Sequence, residues 1–179
     1  MGTERLGRAP NGAKEAVAEA WARRALNRNG HFVTEFLEAQ EWLVIPVESG
    51  QHFDECDVEC LANAAAAQGE SKLRAILLES LKGVGDHLAV DATAEGLLLF
   101  SRECAHFNYA LLPENYSFAV VCTTREYFLV AGSKEFVETA TGKRVVQALS
   151  DFEAFACDDS WSASDRSHLA EVLRRCNIS

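Results

Sequence analysis

The segment between Ser117 and Thr141 constrains the fold of this chain more than any other. Two runs rich in β-branched and aromatic residues, Phe118-Ala119-Val120-Val121-Cys122 and Tyr127-Phe128-Leu129-Val130-Ala131, flank the polar tetrapeptide Thr123-Thr124-Arg125-Glu126. Such runs suit a pleated, buried surface, and a four-residue polar link lets them pair as an antiparallel hairpin. Gly132 and Ser133 end the second strand, and the Ser133 hydroxyl suits the N-cap of a helix starting at Lys134. Gly142 interrupts or ends that helix. Helices dominate the chain before this segment and strands mix with helices after its midpoint. That order predicts an α+β fold, with an antiparallel sheet that includes a 117–131 hairpin and packs against several helices.

The remaining elements follow from periodicity. Val17, Trp21 and Ala25 recur every four residues, which predicts a helix over 12–28 stopped by Asn29-Gly30. A second helix is expected from about His31, with Phe32, Val33, Phe36 and Leu37 on one face. Residues 42–47 read as a strand, and Pro46 places it at a sheet edge because proline cannot donate to a ladder. Helices are expected over 53–67 and over 73–82, the latter from Leu73, Ile76, Leu77, Ser80 and Leu81. Leu88–Val90 reads as a short strand, Thr93 helps to cap a helix reaching about Ala105, and Phe107–Leu112 reads as extended. Two further helices are expected over 143–156 and 165–175, the last capped by Ser164. Residues 1–11 read as a flexible leader and 12–179 as a single globular α+β domain, long enough to hide roughly two-thirds of its unfolded surface. The loop Gln68-Gly69-Glu70-Ser71 is the best point for a subdomain break.

Charge narrows the partners. The chain carries 27 acidic and 17 basic side chains, a formal net charge of −10. That balance repels nucleic-acid phosphates, whose binding relies on Lys and Arg displacing counterions. It would attract a basic protein partner through the same field. The first ten residues contain no apolar run like that of a secretory signal, and no stretch approaches the roughly 20 apolar residues that cross a bilayer. Six cysteines are present, several inside apolar stretches such as Phe118–Cys122. They read as reduced, mostly buried thiols in a cytoplasmic protein with no membrane contact. No cofactor is expected, and the oligomeric state is left open.

Candidate chemistry is sparse. His52, Cys56 and Cys60 are four apart and would share a helix face, offering one imidazole and two thiolates to zinc. Zinc sites usually pair cysteines two to four residues apart and add a second ligand pair elsewhere, which is missing here. Phe53, Cys56, Cys60, Leu61 and Ala64 form an apolar stripe, so both cysteines read as core residues and no metal is expected. Cys104, His106 and Asn108 alternate on an extended segment, but neighbours on one strand cannot form a nucleophilic relay. Gly132, Ser133 and Lys134, where a strand enters a helix, could bind an anion at backbone N–H groups, although an ordinary capped helix explains them. Asp165, Ser167 and His168 invite a hydrolase reading, yet point in different directions on a helix. Asp158-Asp159-Ser160 reads as a solvated turn.

The expected function is therefore that of a non-catalytic binding or regulatory domain, in its most specific form an acidic inhibitor or immunity-type protein. Two alternatives stay open: an enzyme without a familiar motif, such as a small hydrolase or transferase, and a small-ligand-binding domain. Convergence of His52, His87 and His106 with nearby acids in one cleft would favour the enzyme, and their dispersal would count against it.

Overall fold

The computed structural model describes residues 12–50, 52–78 and 87–176 of the chain. The expected leader over 1–11 lies outside them. The hairpin forms as its composition demands. Phe118–Cys122 (β5) pairs antiparallel with Tyr127–Gly132 (β6), with Val120 opposite Val130, and every residue of both strands is buried. Four more strands complete the sheet: Leu43–Glu48 (β1), Lys72–Leu77 (β2), His87–Asp91 (β3) and Tyr109–Leu112 (β4). The spatial order is β1-β6-β5-β4-β2-β3, and each neighbouring pair is antiparallel.

Helices cover both faces of this sheet, which explains why its central strands are apolar at nearly every position. On one face Phe118, Val120, Phe128 and Val130 pack with residues of Glu55–Ala67 (α3), Ala94–Glu103 (α4) and Lys134–Thr141 (α5). On the other, Ala119, Val121, Tyr127, Leu129 and Ala131 meet Gly12–Ala25 (α1), Thr34–Gln40 (α2) and Ala163–Cys176 (α7). Val145–Ala156 (α6) serves both cores, giving Ala148 to the first and Phe152 and Ala156 to the second. It packs against β1. That strand lies at a sheet edge, as Pro46 requires.

Local signals account for most boundaries. The Thr93 hydroxyl accepts from the Gly96 N–H at 3.1 Å and the Ser133 hydroxyl from the Phe136 N–H at 3.2 Å, each opening a helix. Gly142, at φ 63°, closes α5 in the left-handed region. Gly132 is required by proximity: a Cβ there would lie 2.9 Å from the Phe136 ring. That ring stacks on Phe118 with centroids 4.0 Å apart.

Three expectations need correction. The helix over 73–82 is instead strand β2 through Leu77, and residues 79–82 lie outside the described residues. Leu73 and Ala75 face one core and Ile76 the other, so burial on both faces placed leucines and isoleucine at a spacing that imitates a helix. The last helix is capped by Ser162, not Ser164. The Ser162 hydroxyl accepts from the Asp165 N–H at 3.1 Å and donates to the Asp165 carboxylate at 2.5 Å. The second helix begins at Thr34 and not near His31, because Phe32 first bridges back to Leu26. Among the described residues no helix is long and apolar enough to cross a membrane.

Candidate functional site

A polar cleft opens where the loop after α1, the β5–β6 turn and α7 meet. Each wall is fixed by its own short-range bonds. In the loop, the Asn27 side-chain oxygen accepts from the N–H groups of Asn29 at 2.8 Å and His31 at 3.1 Å. The Asn27 N–H donates to the His31 carbonyl at 2.8 Å. Gly30 makes this reversal at φ 76°, and a Cβ there would press on Leu78 at 3.4 Å. The loop is thereby tied down with the His31 ring turned inward, 7 % exposed.

The opposing turn is equally constrained. Thr123 donates its hydroxyl to the Tyr127 carbonyl at 2.8 Å and accepts from the Arg125 N–H at 3.2 Å. The Asn108 side-chain oxygen accepts from the Thr124 N–H at 2.9 Å. Glu126 sits at φ 31°, and its carbonyl accepts from the Ser49 N–H at 3.0 Å. Arg125 is therefore presented from a braced backbone.

Between the two walls, the strand's period of two turns Tyr127 toward α7. Its hydroxyl lies 3.0 Å from His31 Nε2 and 3.1 Å from His168 Nε2. A hydroxyl has one proton, so with both bonds made it donates to at most one imidazole and accepts from the other. Burial holds the Tyr127 hydroxyl protonated, pushing its pKa up to about 12. Burial also pulls His31 down to about 4, helped by the neighbouring His168, and lowers His168, with Arg125 adding repulsion. Both imidazoles are neutral at pH 7.

The cleft in front of this chain of hydrogen bonds has a volume of about 440 Å³. Among the described residues its ionisable lining consists of Arg28, Arg125, His31, His168 and Tyr127, with no carboxylate. Among the same residues, neither guanidinium is in an ion pair. Among the described residues the arrangement offers two planar donor groups, several neutral polar groups and no competing anion, which suits a small negatively charged ligand.

On the other side of the same turn lies a second cleft of about 410 Å³, lined by Glu48, Asp54, Asp57, Glu126 and Asp151. Lys143, the cation among its described lining residues, donates to Asp151 at 2.6 Å. Burial, with Asp54 alongside, pushes the Asp57 carboxyl up to about 6.

The residues singled out from the sequence disperse. His52 lies before the Asp54–Asp57 capping box that opens α3, so the helical spacing to Cys56 and Cys60 does not reach it. Among the described residues no three His, Cys, Asp or Glu side chains stand where they could hold a metal ion. Cys56 is exposed and Cys60 half-buried, which corrects their reading as core residues; Cys157 is exposed too. The face of α3 that enters the core carries Val58, Leu61, Ala64 and Ala65. Cys104 is buried, His106 is exposed, and Asn108 braces the turn. Gly132 is buried under Phe136, while Ser133 and Lys134 are exposed at the helix start, where the Ser133 hydroxyl is spent on the cap. Asp165 is engaged by Ser162 and Ser167 is exposed; only His168 of that group reaches the cleft. Asp158 accepts from the Ser160 N–H at 2.7 Å, a turn as expected. His52, His87 and His106 do not meet: the first and last are exposed, and His87 is buried on β3, 3.6 Å from the Glu19 carboxylate.

Sequence reasoning missed His31 and Tyr127 as site residues. The available signal was Asn29-Gly30 directly before His31, which marks a loop and not a helix interior. No protein-family model, curated protein or solved structure matches this chain.

Proposed function

We propose that this chain is a non-catalytic binding domain for a small molecule bearing a phosphate, sulfate or carboxylate group, held in the cleft between Arg28 and Arg125. The observation that carries this reading is the cleft's lining of two arginines and two histidines, with no carboxylate among the described residues, on a chain of net charge −10. The volume is that of an ordinary small-molecule site. Binding is favoured over catalysis because both imidazoles spend Nε2 on one tyrosine hydroxyl, and that hydroxyl stays protonated at neutral pH. Among the described residues no thiol or carboxylate lines the cleft to act as nucleophile or base. Six free thiols support a cytoplasmic setting for the protein.

Titration with sodium phosphate and sodium sulfate, followed by backbone amide shifts, tests this reading. Saturable shifts are expected at Gly30, Thr124 and Arg125. Replacing Arg28 and Arg125 together by Ala should weaken binding by at least about tenfold, the ordinary worth of a charge-assisted contact. Shifts that do not saturate, or that survive the double replacement unchanged, would overturn it.

The five carboxylates of the second cleft favour a further reading, in which that face receives a basic segment of a partner protein, as an inhibitor or immunity-type protein would. A lysine- and arginine-rich probe peptide should then bind at low salt, release as salt rises, and lose affinity in the Asp54→Asn, Glu126→Gln double variant. Binding indifferent to that variant would remove the reading.

A further inference from the structure

The hydrogen-bonded chain behind the cationic cleft points beyond anion binding. Two imidazoles from distant segments converge on the hydroxyl of Tyr127, yet none of the three side chains carries a formal charge at neutral pH. Both imidazoles line the cleft, but they are not equivalent: His31 is nearly enclosed, whereas His168 is half-buried on α7. His168 is also the histidine closer to solvent, with a route for a proton to enter.

We propose that the cleft takes up its anion together with one proton, carried by the His168 imidazole, so that anion affinity rises as pH falls. The proposal rests on the anion-binding reading of the cleft. Its physical basis is the balance of groups facing His168. Tyr127 reaches it from β6, His31 from the loop after α1, and Arg125 from the β5–β6 turn, while Asp165 lies one turn earlier on its own helix. Glu126 borders the adjoining surface pocket that His168 also lines. Farther along α7, Glu171 and Arg175 act on His31 with opposite signs. In the empty cleft, burial and Arg125 disfavour a charged imidazole. An anion seated against Arg125 cancels that repulsion and adds attraction of its own, so the protonated imidazole becomes the favoured form. Tyr127 permits the change because its oxygen can accept an N–H from either ring. By linkage, a site that gains a proton with its ligand must bind the ligand more tightly at lower pH.

Sulfate is the probe of choice because its charge is constant between about pH 5 and 8, so any pH dependence belongs to the protein. Calorimetric titration of the full chain with sulfate, in two buffers of different ionisation enthalpy, should report uptake of up to one proton per anion near about pH 6.5. Affinity should weaken by up to about tenfold per pH unit between the His168 pKa without sulfate and its pKa with sulfate, and level off above the latter. In the wild-type chain the imidazole resonance of His168 should titrate at higher pH with saturating sulfate than without it, a readout that needs no variant. His168→Gln, which can still bond to Tyr127, should bind sulfate with a flat pH profile, while His31→Gln should keep the slope. Arginine-dependent sulfate binding with no proton uptake would overturn the proton coupling and leave the cleft reading intact. Persistence of the slope in His168→Gln would overturn the assignment to His168. Absence of sulfate binding at every pH would overturn both readings together.

Discussion

Arg125 and Glu126 are neighbours in one turn, yet they face clefts of opposite character. Among the described residues, the Arg125 side is lined by two arginines and two histidines around a buried tyrosine hydroxyl, and the Glu126 side gathers five carboxylates around one already paired lysine. The volumes are nearly equal, about 440 and 410 Å³, so shape does not separate them. Their construction does. The cationic cleft has a buried polar pair at its back, Tyr127 with His31, whereas the acidic cleft is backed by the apolar Pro46, Ala148 and Phe152 and carries its carboxylates at exposed or half-buried positions. A net charge of −10 describes the chain as a whole and conceals one cleft lined by two arginines with no carboxylate among the described residues.

The largest effect that can test this contrast is removal of the shared tyrosine. Tyr127 is 2 % exposed and packs edge-on against Phe152, with centroids 5.9 Å apart. Tyr127→Ala should cost about 3–5 kcal/mol in urea-induced unfolding, from the cavity and the two abandoned imidazoles. Asp151→Ala, in the acidic cleft, breaks an exposed pair with Lys143 and an exposed hydrogen bond from Gln147, and should cost no more than about 1 kcal/mol. Equal losses in the two variants would break the distinction between a cleft whose polar groups are buried and one whose charges lie at its rim.

A smaller change isolates the hydroxyl. Tyr127→Phe keeps the ring and leaves the buried His31 nitrogen and the half-buried His168 nitrogen without their partner, at an expected cost of about 1–3 kcal/mol. In the same variant sulfate should still raise the pH at which His168 titrates, because the anion acts through Arg125 and its own charge and not through the tyrosine.

The sheet was legible in the sequence because its signals are local. The hairpin needs only two apolar runs and a polar link, the Ser133 cap needs one hydroxyl three residues before Phe136, and Pro46 marks an edge by lacking a donor. Strand β2 was not legible, since burial on both faces erases the alternation that identifies a strand. The site was still less so. His31 and Tyr127 are 96 residues apart, and Tyr127 and His168 are 41 apart. Their meeting depends on the β5–β6 register and on where α7 crosses the sheet, which no local pattern encodes. Cys56 misled for a related reason. The apolar stripe over Phe53–Ala64 is real, but the larger Val58 and Leu61 claim the buried face and turn the thiol outward.

The two clefts should also answer acid in opposite directions. His31 has its pKa lowered from 6.5 to about 4, so the folded state holds fewer protons there than the unfolded chain. Its neutral form contributes stability above about pH 6.5 that is lost as pH falls toward 4. Asp57 has its pKa raised from 3.8 to about 6, so the folded state holds more protons, and stability is lost as pH rises from about 4 to 6. After allowance for solvent screening, the His31 effect should be on the order of 1–2 kcal/mol. Thermal unfolding across about pH 4–7.5 separates them. His31→Gln should gain on the wild type as pH falls, and Asp57→Asn should gain as pH rises. Parallel curves would mean that the clefts do not differ electrostatically in the way their linings require.

Exchanging the two charges at the turn is the mildest perturbation and the most direct. In the Arg125→Glu, Glu126→Arg double variant both side chains stay exposed, and the bonds that hold the turn are made by Thr123, Asn108 and Ser49 without either side chain. Stability should therefore change by no more than about 0.5 kcal/mol. Binding should change far more, because a carboxylate would now stand in the cationic cleft beside Arg28, where like charge repels an incoming anion. Sulfate affinity should fall by more than about tenfold at constant ionic strength. The basic probe peptide should weaken as well, since the swap takes a carboxylate out of the acidic cleft and puts a guanidinium in its place. A swap that leaves sulfate affinity unchanged would show that Arg125 merely borders the cleft, and that the difference between the two neighbours is one of position without chemical consequence.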